Sequence, residues 1–213
     1  MTTREMLHRL TIGLLVCVTG CADDSVDPAS DSTNEPSDGT ALFDVLGSDA
    51  NYVPLSVSQM VATSEVIGLG HMVDVERGMT IVSETNAEES RHETIVVRFE
   101  TSSVLSGENG PIYLEFDVGP PPDLDELRAD LPDQELAVFG ILATRIDVDG
   151  VTYENEGSGH PAGTPLHRLT TPQGLLVEGE ESLVQPLELR GEQLFDESVT
   201  TLEAMKAEVE AML

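Results

Sequence analysis

The stretch Ser64-Glu65-Val66-Ile67-Gly68-Leu69-Gly70-His71-Met72-Val73-Asp74-Val75 decides how the chain folds. Ile67, Leu69, His71, Val73 and Val75 alternate onto one side of a strand spanning 65–75. Gly68 and Gly70 interrupt it, and paired glycines inside a strand mark a bend or bulge of the kind that lets a sheet curl. Residues 79–82 read as a partner strand, and 86–91 as a polar loop.

Longer strand signals follow. Residues 92–105 place Ile95, Val97 and Phe99 on one face, with Val96, Arg98 and Glu100 on the other, so one side is expected to be wet. Residues 111–117 repeat the pattern, with Ile112, Leu114 and Phe116 inward and Tyr113, Glu115 and Asp117 outward. Residues 135–146 are too uniformly apolar for either face to be exposed. They lead to Asp149-Gly150, the strongest hairpin turn in the chain, with 151–154 returning. Residues 157–172 are rich in Gly and Pro and read as a surface loop. A small hairpin pairs 174–177 with 182–185.

Three helices complete the pattern. Ser56 and Gln59 stand at capping-box spacing within 54–64, where Val57, Met60 and Val61 share a face. Asp123 and Glu126 repeat that spacing after Pro120-Pro121-Pro122, ahead of Leu124, Leu127 and Leu131. Near the end, Thr200 or Ser198 starts a helix whose Leu202, Met205, Val209 and Met212 form an apolar stripe, expected to pack on the core, the other reading being an oligomer seam. The fold class expected is α+β and β-rich. It would be a small antiparallel, OB-like barrel or a curled sheet, with short flanking helices and a C-terminal helix.

Composition limits the partners. The chain has 10 basic and 40 acidic residues, a formal net charge of −30. Such a surface repels nucleic acid and anionic headgroups, so nucleic acid is not an expected partner. There is no Trp and Phe is sparse, so the core is expected to be aliphatic.

At the other end, Arg4 and Arg9 precede the apolar run 10–16, and small residues lead to Val18-Thr19-Gly20-Cys21. The basic, apolar and small segments follow the order of a secretory signal, and the run is far shorter than the ~20 residues a membrane-spanning helix needs. The four residues ending at Cys21 resemble the lipobox of bacterial lipoproteins. That resemblance implies cleavage before Cys21, a thioether-linked diacylglycerol on its sulfur, and anchoring on the extracytoplasmic face of the cell membrane, or on the outer membrane of a Gram-negative cell. The other reading is an ordinary signal peptide with Cys21 incidental. Cys17 sits inside the apolar run, so a lipidated Cys21 leaves the exported part without a disulfide.

Residues 22–40 hold six acidic residues, two prolines and no basic residue. Such a segment buries too little to offset its ordering entropy and reads as a tether. It reaches up to roughly 65 Å fully extended, and typically about 25 Å. The expected organisation is a signal peptide at 1–20, a lipidated Cys21 and acidic tether at 21–50, and one β-rich domain at 51–213.

The bent strand at 64–75, the long strand ending Val104-Leu105-Ser106-Gly107 and the later Glu135-Leu136-Ala137-Val138-Phe139-Gly140-Ile141-Leu142 together resemble the OB-type barrel of netrin-like domains. The family's cysteines are missing, so neither its disulfides nor its protease-inhibitor role carries over.

Chemistry is harder to find. Gly68-Leu69-Gly70 lacks the third glycine of a dinucleotide turn, and His92-Glu93 lacks the second histidine of a zinc-protease motif. Asp147-Val148-Asp149-Gly150 opens like a calcium loop but lacks its later ligands. His71, His92, His160 and His167 are irregularly spaced for zinc. No serine elbow or Ser-x-x-Lys is present, and the many carboxylates make no glycosidase pair identifiable. Neither catalytic residues, nor a cofactor, nor a metal site is expected. The function expected is a non-catalytic binding domain. It would be monomeric, held to the membrane by its N-terminal lipid, and would meet an envelope protein or ligand. The alternatives are an extracytoplasmic hydrolase or metal-dependent enzyme, and weak divalent-cation binding by the acidic surface.

Overall fold

The structure is a computed structural model, and it describes residues 39–46, 53–85, 88–145, 149–155, 158–187 and 193–213. All of these belong to one compact unit, residues 35–213. The fold is α+β and β-rich: the described residues form one mixed eight-stranded sheet and four short α-helices, the last of them C-terminal.

The strands are β1 (Val66–Thr85), β2 (Glu88–Ser106), β3 (Ile112–Gly119), β4 (Leu136–Leu142), β5 (Val151–Glu154), β6 (Leu166–Leu169), β7 (Leu175–Glu178) and β8 (Leu183–Val184). β1 pairs with β2, β2 with β3, β3 with β6, β6 with β4, and β4 with Val66–Gly70 at the start of β1. The pairings thus return to where they began. All are antiparallel except β3 with β6, which is parallel and shares only Tyr113↔Leu166 and Leu114↔His167. So short a ladder leaves the ring partial, and the sheet is curled rather than a barrel.

The glycine bend appears where expected. Register shifts fall at Ile67/Gly68 and Leu69/Gly70, letting residues 66–70 carry β2 on one edge and β4 on the other. A further shift between Met72 and Asp74 changes which side chains face inward, so Met72 and Val75 are buried while Val73 is exposed and His71 lies outside. Their shared side with Ile67 and Leu69 is therefore lost at the bulge. Residues 79–82 are not a separate partner strand. They continue β1 past a shift at Arg77/Thr80, where Gly78 sits so close to Thr94 that a Cβ would lie 2.1 Å from its hydroxyl oxygen.

Other expectations need correction. Residues 88–91 belong to β2 rather than to a loop, because they pair with the far end of β1. The strand after Asp149-Gly150 does not return on β4. β5 pairs with Thr80–Ser83 of β1, whose far half extends beyond β4 and leaves that edge open to it. The Gly/Pro-rich 157–172 contains β6, the strand that closes the ring.

α1 (Thr40–Leu46) sends Leu42, Phe43 and Leu46 into the core, so the folded part begins ahead of residue 51. α2 (Val57–Thr63) has the expected capping box: Ser56 accepts from Gln59 N–H, and the Gln59 side chain accepts from Ser56 N–H. α3 (Leu124–Ala129) is capped by Asp123. α4 (Leu202–Glu210) is capped by Thr201 rather than Thr200 or Ser198, since the Thr201 hydroxyl accepts from Ala204 N–H.

Two apolar cores result. One lies in the curl and joins Val97, Phe99, Leu114 and Val138 to α1 and to Leu127 of α3. The other covers the outside of β1 and β4, where Ile67, Ala137 and Phe139 meet Met60 of α2 and Leu202, Met205 and Val209 of α4. β4 is therefore buried on both faces, and the α4 stripe packs inward apart from the exposed Met212. Among the described residues no helix is long and apolar enough to cross a membrane.

Candidate functional site

The outer face of β2 and β3 is not wet throughout. The chain between β4 and β6 crosses it and buries Val96, Tyr113 and the Glu115 side chain. Gly159 N–H donates to the Arg77 carbonyl, and the His160 ring meets Tyr113 edge-on at 5.2 Å.

The main fastening is ionic. Arg145 donates from Nη1 to Glu115 Oε2 (2.6 Å) and from Nη2 to Oε1 (2.7 Å). Its guanidinium also stands 5.4 Å from the centre of the Tyr153 ring. The Thr94 hydroxyl lies 3.2 Å from Glu115 Oε1 and accepts from Met79 N–H. The fork joins an exposed guanidinium to a buried carboxylate, so losing the arginine leaves Glu115 buried without its cation and costs more than losing both. Arg145→Ala is expected to lower stability by about 2–3 kcal/mol. The double change Glu115→Leu with Arg145→Leu should cost less, as read from urea midpoints.

At one end of this face β3 and β6 part. Past Leu114 and His167 the two strands share no ladder position, and a cleft of about 360 Å³ opens between them. Its walls include Phe116, Ile141, Leu169 and Pro172, with Glu115, Asp117 and Arg168 among them. Arg77, Arg91, Arg98, Arg128 and Arg145 each hold a carboxylate, whereas Arg168 has no ion pair among the described residues. The pairing that singles out Arg168 is nonlocal, so no sequence motif marks it.

The four histidines fall at separate places: His71 on β1, His92 on β2, His160 in the crossing loop and His167 on β6. Among the described residues no group of three His, Cys, Asp or Glu could hold a metal. Asp149-Gly150 forms a turn, while residues 146–148 lie outside the described residues, as do Cys21 and the lipobox.

Burial pushes the His167 imidazole below its ordinary value of 6.5, with the Glu65 carboxylate opposing the shift. The unfolded chain then takes this proton more readily than the folded one, so stability falls as pH drops below about 6.5. His167→Gln is expected to remove part of that loss, seen as a smaller drop in Tm between about pH 7.5 and 5.5.

No family model matches the chain, and no curated protein or solved structure matches it.

Proposed function

We propose that this chain is a bacterial envelope lipoprotein whose folded part is a non-catalytic binding module. The observation that carries the anchoring is Val18-Thr19-Gly20-Cys21 behind a short apolar run, followed by an acidic, proline-containing tether. A chain of net charge −30 gains nothing from an anionic membrane by charge, so attachment rests on lipid at Cys21. Two acyl chains hold a protein stably where one does not.

An OB-type reading of the module is supported by the order of its pairings. The strands run β1-β2-β3-β6-β4 and back to β1, with the parallel step at β3–β6 and α3 between β3 and β4. OB-type modules bind across their second and third strands. Here the crossing loop covers much of that face, and the acidity of the chain disfavours an oligonucleotide. The cleft beside β3 is a concave site at the end of that face.

Cys21→Ala tests the anchoring. Wild type should sediment with membranes and enter the detergent phase on partitioning, whereas the variant should do neither. A variant as firmly membrane-bound as wild type would remove the anchor. Stoichiometric zinc in the purified full chain would favour the enzyme reading instead.

A further inference from the structure

We propose that the cleft where β3 and β6 part binds a short zwitterionic peptide, with its carboxylate on Arg168 and its ammonium on Asp117. The proposal deepens the reading of the folded part as a binding module and rests on it.

Two observations combine. The first is the open strand edge. β3 runs from Ile112 to Gly119 and keeps β2 along one side as far as Gly119. On its other side it pairs with β6 only at Tyr113 and Leu114. Beyond those two positions the facing edges of β3 and β6 have no ladder between them, and both line the cleft. An unpaired strand edge beside a cavity offers backbone donors and acceptors to an extended peptide.

The second is the charge pattern. Glu115 lines the cleft, but its carboxylate is taken up by Arg145. What remains is one cation and one anion. Among the described residues Arg168 has no ion pair and Asp117 accepts only the Gly119 N–H at 3.2 Å, and both residues are exposed to solvent. The two line the same cleft without pairing with each other. In a chain with 40 acidic and 10 basic residues, an unpaired guanidinium is the scarce element, and a guanidinium is suited to a carboxylate. Phe116, Ile141 and Leu169 supply apolar wall between the two charges. A cleft that is mostly apolar with a few convergent polar groups is the usual form of a small-ligand site. A simple fatty acid would engage Arg168 alone, and an amine Asp117 alone. A peptide with both ends free satisfies both and can also pair with the β3 edge.

The test is calorimetric titration of the full chain in detergent with the dipeptide leucyl-leucine, its C-terminal amide, its N-acetyl form and free leucine. Leucyl-leucine should bind, and removing either end charge should weaken binding about two- to fivefold, since both partner side chains are exposed. The amide's penalty should vanish in Arg168→Ala, and the N-acetyl penalty in Asp117→Asn, both variants melting as wild type does. Free leucine should bind more weakly than the dipeptide, having less backbone to pair. The proposal is overturned if leucyl-leucine gives no saturable heat, if the amide's penalty persists in Arg168→Ala, or if free leucine binds as tightly. Failure here in a zinc-free chain removes the ligand class alone, whereas stoichiometric zinc in the same purified chain removes the binding-module reading on which the proposal rests.

Discussion

Gly70→Ala is expected to destabilise the protein by about 3 kcal/mol or more, at the upper end of what overpacking a core costs. The reason lies in the backbone. A Cβ at Gly70 would stand 2.0 Å from the Glu100 carbonyl oxygen and 2.9 Å from Thr101 Cα, both on β2. Neither atom can rotate aside, so relief requires β1 and β2 to separate. Gly70 also pairs with Leu136, so that movement pulls against β4 and opens the ring at its closure. Gly68→Ala is the control. Its Cβ would meet the Ile112 and Thr101 side chains at 3.3 Å and the Ser103 carbonyl at 3.4 Å, contacts that small adjustments relieve. Urea denaturation should show a large loss for Gly70→Ala and a small one for Gly68→Ala. Equal midpoints for Gly70→Ala and wild type would mean that the close strand approach is not what sets the bend.

This contrast also shows what could be read from the residues. Gly68 and Gly70 announced a bend because a strand interior tolerates glycine mainly where backbones approach or a bulge is needed. The helices were equally legible, since Ser56 with Gln59 and Asp123 with Glu126 are local signals acting over three residues. Alternation located the inward faces of β2 and β3 for the same reason.

What escaped was nonlocal. Leu166-His167-Arg168-Leu169 has no alternation and only four residues, so nothing local distinguishes β6 from the loop around it. It is a strand because β4 and β3 stand on either side. The edge chosen by β5 depends on how far β1 overshoots β4. α1 is seven residues beside an acidic stretch, and its three apolar side chains gain their meaning only from the core they enter. The cleft is the extreme case. Arg168 differs from Arg77, Arg91 and Arg98 of the sheet by meeting no carboxylate among the described residues, and Glu115 is neutralised by an arginine 30 residues away. Residue types and spacings carry neither fact.

The second large effect is expected at Phe139, and it tests whether the outer core is part of the same cooperative unit as the ring. Phe139 is fully buried on β4, opposite Ile67 of β1, and its carbonyl accepts from Thr170 N–H just beyond β6. Its ring lies 6.4 Å from that of Phe195, tilted by 48°, so it links the sheet to the segment leading into α4. Truncation to alanine removes the ring from the middle of a packed cluster that includes Met60, Leu202 and Met205. Phe139→Ala should cost about 3–5 kcal/mol, the usual range for emptying such a site. Phe195→Ala should cost less, because Phe195 is 7% exposed and borders a surface cleft whereas Phe139 is fully enclosed. Since the two rings touch, the double variant should fall short of the sum by roughly 0.5–1.5 kcal/mol. Unfolding followed both by circular dichroism and by a probe on α4 should give one coincident transition for wild type. If Phe139→Ala instead leaves the sheet transition in place and melts only α4, the outer core is a separate layer, and β4 is held in the ring by the inner core alone.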